Sequence, residues 1–108
     1  MAALQVAEMS FEAIEALRPL IPRIKRCDRS LADQLTRAAT SVALNIAEAD
    51  QSDPGNRRAR FFTASGSASE SQAALRAAVC WGYLAASDAE AAASLLRRIN
   101  AILWKLTH

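Results

Sequence analysis

Histidine, glycine and proline are nearly missing from this chain. Of its 108 residues one is His (His108), 3 are Gly and 3 are Pro. With a single imidazole there are no Glu-x-x-His pairs for a di-iron centre, no His-based zinc site and no histidine-dependent triad. Gly55 and Gly66 stand apart, so no glycine-rich phosphate loop is present. Glu48 and Glu70 could do acid/base work only if their surroundings drove their pKa values apart, and no other residue supports that chemistry. The sequence therefore predicts a protein that is not an enzyme, with no metal and no cofactor. Cysteine is scarce too: Cys27 and Cys80 are far apart and form no CxxC pair, which predicts reduced thiols in a cytoplasmic protein. Charge of one sign is also lacking. Thirteen basic against eleven acidic side chains leave a net +2, too little by itself to indicate a nucleic-acid or membrane binder. Met1 to Glu8 lacks the basic and apolar regions of a secretory signal. The most apolar later stretch, Ala73 to Ala86, is broken by Arg76 and falls short of the roughly 20 residues that span a bilayer. No membrane partner is expected.

What remains is rich in helix formers. Hydrophobic residues make up 52% of the chain, and Ala, Leu, Arg and Glu abound, so an all-α fold is expected, with residues 1–108 as one domain. Val6, Met9, Ala13, Leu17, Leu20 and Ile24 recur every three or four residues and predict a first helix from Leu4 to Arg26. Pro19 and Pro22 should kink or break it. Ser30-Leu31-Ala32-Asp33 reads as a variant capping box opening a second helix, whose stripe is Leu31, Leu35, Ala39, Val42 and Ile46. Asp53-Pro54 reads as a cap followed by proline at the first position of a third helix, running to about Ala85. Ser87-Asp88-Ala89-Glu90 suggests the box of a fourth, with Leu95, Ile99, Ile102 or Leu103, and Leu106 as its stripe. Four helices on short connections predict an antiparallel up-down-up-down four-helix bundle.

Several residues stand out against that frame. Arg37, Ser41, Asn45 and Glu48 lie along one side of the second helix, and Thr63, Ser67 and Glu70 line up on the third. They predict a polar seam that fixes helix register or a subunit contact, with an Arg37 to Glu70 ion pair or a small-ligand pocket as further readings. Ala64, Gly66 and Ala68 have little bulk and suggest a close helix crossing, which would offset the roughly 1 kcal/mol that Gly66 costs a helix. Arg23, Lys25, Arg26 and Arg29 suit a helix C-terminus, whereas Arg57, Arg58 and Arg60 sit at a helix start, where the dipole disfavours them. Both groups are candidate phosphate contacts, the alternative for the second being neutralisation by Glu48, Asp50 and Asp53. Trp81, Tyr83 and Trp104 read as core or interface anchors rather than base-stacking platforms.

Two stretches also carry a family resemblance: Gln34-Leu35-x-Arg37-Ala38-Ala39-x-Ser41-Val42-x-x-Asn45-Ile46-Ala47-Glu48 and Ala64-x-Gly66-Ser67-x-x-Glu70. Together they resemble the signature of the small bacterial four-helix-bundle proteins named after rRNA intervening sequences, distant relatives of the accessory variability proteins of diversity-generating retroelements. The resemblance implies an antiparallel bundle that assembles as a ring-shaped homopentamer, often with a basic surface or channel. Two positions depart from the pattern. Ala49 replaces a usual glycine and should lengthen the second helix, and Arg60 puts charge where the family buries a ring. The expectation is a cytoplasmic homo-oligomeric scaffold or adaptor, with RNA or DNA, or another protein, as partner.

Overall fold

The computed structural model describes residues 2–108; Met1, the first residue of the stretch read above for a leader, lies outside them. The described residues form five helices and no strand: α1 (Ala2–Leu17), α2 (Ile21–Cys27), α3 (Arg29–Asp50), α4 (Pro54–Cys80) and α5 (Ala86–Thr107). The fifth helix arises from the two prolines. At Pro19 the α-helical ladder stops, and the Leu20 amide turns back to the Leu17 carbonyl at 2.8 Å. Pro22 sits in the first turn of α2, where its missing N–H costs nothing. The molecule measures 42 × 22 × 20 Å, with α1 and α4 each packed on both α3 and α5, and α2 on α3. No helix among the described residues is long and apolar enough to cross a membrane.

The core follows the spacing of the apolar residues. Val6, Met9, Ala13, Leu17, Leu20 and Ile24 are all buried, as are Leu35, Ala39, Val42 and Ile46 on α3. On α5 the large buried side chains are Leu96, Ile99 and Leu103, while Leu95, Ile102 and Leu106 are half-buried at its edge. Along α4 the core face is small: Ala64, Ala68 and Ala78 are wholly enclosed, and only Phe61 and Leu75 among its buried residues are large. Small side chains there let α3 and α5 both come close to α4.

Helix ends differ from their expected places. The cap of α3 is Asp28, whose carboxylate accepts the Leu31 amide at 3.0 Å, and not Ser30. Asp53 caps α4 as expected, accepting the Asn56 amide at 3.0 Å and the Asn56 side chain at 2.8 Å. These bonds hold the Asp53 carboxyl below its ordinary pKa. Ser87 does not cap α5; the helix begins at Ala86 with no side-chain cap. The third predicted helix ends at Cys80 and not Ala85. Gly82, at φ +81°, places its amide on Val79 O, and the Tyr83 amide reaches Ala78 O, both at 2.9 Å. This paired pattern closes a helix through a left-handed residue, a conformation glycine adopts without a side-chain clash. Ala49 is buried inside α3, which runs on to Asp50.

Candidate functional site

Two serine side chains tie α3 to α4, and an asparagine on α3 braces one of them. Ser41 Oγ and Ser67 Oγ are 2.8 Å apart across the seam, and Asn45 Nδ2 donates to the Ser41 carbonyl (2.9 Å) and hydroxyl (3.0 Å). One turn further, Arg60 bridges to Glu48 at 2.8 Å, so the charge that departs from the family pattern is exposed and paired. Arg37 and Glu70 form no ion pair among the described residues. Instead they share the walls of an open groove of about 640 Å³ with Arg29, Ser30, Asp33 and Gln34. Gly66 does not serve a close crossing within the chain: it is exposed, and a Cβ built on it would meet nothing within 4 Å. Ala64 and Ala68 do face the core.

A second polar seam, between α4 and α5, was not foreseen. Asn100 accepts from Ser65 Oγ at 3.0 Å and donates to Ser69 Oγ at 3.0 Å and Gln72 Oε1 at 2.7 Å. The spacing of Ser65, Ser69 and Gln72 on one side of α4, with a lone Asn beside the α5 stripe, was the available signal.

The basic residues separate into two places. Arg23 pairs with Asp88 at the start of α5 (3.0 Å), whereas Arg58 donates through Nε (3.2 Å) and Nη2 (2.7 Å) to the Thr107 carbonyl at its end. Helix α5 has 22 residues, which at about 1.5 Å each puts the clusters roughly 30 Å apart. Near α4 the cations are occupied: Arg60 holds Glu48, Arg58 holds Thr107, and Arg57 lies over the Phe61 ring, 5.6 Å from its centroid. These contacts answer why arginines sit at an unfavourable helix start. At the α2–α3 end, Lys25, Arg26 and Arg29 are exposed and have no ion pair among the described residues.

Neither tryptophan is in the core. Trp81 is 72% exposed and stacks on Tyr83, with centroids 6.4 Å apart and planes at 14°. Trp104, 60% exposed, lies 4.5 Å from the His108 ring at 10°. Tyr83 is half-buried, and its hydroxyl donates to Asp28 Oδ2 at 3.5 Å; burial first, and then the Asp28 charge, push its pKa up. Cys27 and Cys80 are free and exposed. A mainly apolar cleft of about 280 Å³ opens beside the Pro19 break, lined by Ile14, Leu17, Ile21, Pro22 and Ala39 with Arg18, Thr36 and Thr40.

The family model of the 23S rRNA-intervening sequence proteins matches residues 2–105. The chain belongs to this family. Of the residues that carry the resemblance, Ser41 and Ser67 join α3 to α4, and Asn45 braces Ser41 from within α3. The intervening-sequence fold is also seen in a crystal structure of a protein of unknown function from the S23 ribosomal protein family of Bacteroides thetaiotaomicron. The two are 22% identical, with a TM-score of 0.88 over 99% of this chain and 98% of the other. That likeness extends to the fold alone. Among curated proteins no match is found.

Proposed function

We propose that this intervening-sequence protein is a non-enzymatic, cytoplasmic, homo-oligomeric scaffold or adaptor with affinity for nucleic acid. In this reading α1 and α2 are one broken rod of an up-down-up-down four-helix bundle, and the assembly is a pentameric ring. The observation that carries it is what a complete core leaves outside. Leu4, Phe11, Leu44, Phe62 and Trp104 stay between 45% and 67% exposed. Burying one such side chain fully is worth about 1.5–3 kcal/mol, so further copies of the chain have apolar surface to gain. Leu4 and Phe11, seven residues apart, lie on one face of α1.

Assembly also changes the electrostatics. Five protomers at +2 each give a ring of roughly +10, and a modest patch becomes a considerable one. The unpaired Lys25, Arg26 and Arg29 support phosphate contact better than Arg57, Arg58 and Arg60, whose partners lie within the chain. The test is mass in solution with and without nuclease. About five times the 11.6 kDa protomer is expected, together with oligonucleotide binding that weakens steeply with salt. A lone protomer at high concentration ends the assembly reading, and no binding at low salt ends the nucleic-acid reading.

One observation favours a second reading. The Arg37–Glu70 groove holds charged groups of both signs that have no ion-pair partners among the described residues, which suits a small zwitterionic ligand. A calorimetric titration with free amino acids tests it.

A further inference from the structure

The most exposed large apolar side chain among the described residues stands beside a tightly hydrogen-bonded turn. Trp81 caps α4 at 72% exposure, and the bonds from Gly82 to Val79 and from Tyr83 to Ala78 fix the chain immediately after it. Leu84 anchors the turn in the core, and Tyr83 backs the indole with a near-parallel ring. The Tyr83 hydroxyl then reaches Asp28, which brings the turn against the α2–α3 junction. On either side of Asp28 in sequence stand Lys25, Arg26 and Arg29, exposed and without ion-pair partners among the described residues.

Of the acids at this end, Asp28 accepts from Leu31 and Tyr83 and Asp88 holds Arg23, while Asp33 and Glu70 are exposed and share a groove with Arg29. An exposed stacked aromatic pair near three cations that form no ion pair among the described residues is a poor seat for an apolar protein face, because docking would strip water from the charges and return no partner to them. A polyanion with flat apolar rings uses both features at once.

We infer that the α4–α5 turn and the α2–α3 junction form a site for single-stranded nucleic acid, in which an unpaired base stacks on Trp81 and Lys25, Arg26 and Arg29 hold phosphates. The inference rests on the nucleic-acid affinity proposed above and narrows it to unpaired strands, since a duplex keeps its base faces inside the stack. The other exposed indole is unlike it. Each indole has one ring stacked on it, Tyr83 on Trp81 and His108 on Trp104, but Arg58, at the Trp104 end, is committed to the Thr107 carbonyl.

The experiment uses the full chain with Trp104→Phe, which leaves Trp81 as the sole indole of the two in the sequence. It is titrated with a short oligothymidylate, the matching oligouridylate, and a duplex of equal length. Stacking predicts quenching of Trp81 fluorescence by both single strands and not by the duplex. In the otherwise native chain, Trp81→Ala should weaken single-strand binding by about 5- to 100-fold and leave the salt slope unchanged. The Lys25→Ala/Arg26→Ala/Arg29→Ala variant should lower the slope by about 2. If the single strands bind without quenching and Trp81→Ala binds as well as the native protein, the stacking site is refuted while the broader reading stands. If no oligonucleotide binds at low salt, both fall. If Trp81→Ala changes the solution mass and not the affinity, Trp81 belongs to a contact between copies and the inference is overturned.

Discussion

Two glycines in this chain should respond to the same substitution with opposite signs. Gly66 lies inside the 27-residue α4, exposed, and an added Cβ would meet nothing within 4 Å. Its cost is therefore only that of backbone entropy and lost helix preference, about 1 kcal/mol relative to alanine. Gly66→Ala should raise stability by about 1 kcal/mol, or roughly 4 °C in the melting midpoint of a domain this size. Gly82 also has open space for a Cβ, but its φ of +81° is a conformation that costs other residues about 1–2 kcal/mol. Gly82→Ala should lower stability by that amount while the bulk of α4 stays helical.

The assay is urea unfolding followed by circular dichroism, run at two protein concentrations so that mass action from assembly is separated from the protomer's own stability. An unchanged denaturant slope in both variants would show that stability has changed and the surface exposed on unfolding has not. A Gly66→Ala protein less stable than the native one at both concentrations would refute the reasoning, because no atom of the same chain is placed to resist the methyl group. A loss confined to the higher concentration would locate another copy's backbone against Gly66. That outcome would restore the close crossing as a contact between protomers.

Asn100→Ala removes three hydrogen bonds that join α4 to α5; at about 1 kcal/mol net each, discounted because the partners can reach water, the loss should be about 2 kcal/mol in urea unfolding, and a change below about 0.5 kcal/mol would contradict it. Tyr83 is the one tyrosine, so a tyrosinate absorbance titration reads it directly, and its midpoint should lie above the ordinary value of 10.0. The folded state holds that proton more tightly than the unfolded chain, so this contribution to stability is present below about pH 10 and is lost as pH rises through the folded-state midpoint. Asp28→Asn should bring the midpoint down.

How much of this was legible depends on which signals are periodic. The six buried apolar residues from Val6 to Ile24 and the α3 stripe could be read from spacing alone, since burial on a helix repeats every three to four residues. The break at Pro19 and the Asp53-Pro54 start could be read from covalent constraints on single residues. Two features escaped because they depend on competition between neighbours. Asp28 and Ser30 can both cap a helix, and only the backbone at position 28, already extended at φ −155° and ψ 95°, decides for the aspartate. At the end of α4, Trp81 and Tyr83 continue an apolar run and read as helix, yet Gly82 between them enters the left-handed region and ends it.

That last miss bears on function. A helix running to Ala85 would have spread Trp81 and Tyr83 around its surface and left Trp81 as one more candidate for the core. The Gly82 turn instead stops α4 at Cys80, sends Leu84 inward and leaves the indole outside, stacked on the Tyr83 ring whose hydroxyl reaches Asp28. The cations fared similarly. Sequence position grouped Arg23 to Arg29 and Arg57 to Arg60 as equivalent basic clusters, but their availability depends on partners distant in sequence: Thr107 for Arg58, Glu48 for Arg60 and Asp88 for Arg23. Charge counts could not separate occupied arginines from free ones, because the carbonyl at the end of α5 carries no formal charge. Once those partners are assigned, the unpaired positive charge of the two clusters falls largely at the end of the molecule that also displays Trp81. Two features that looked unrelated in the sequence thereby become one surface.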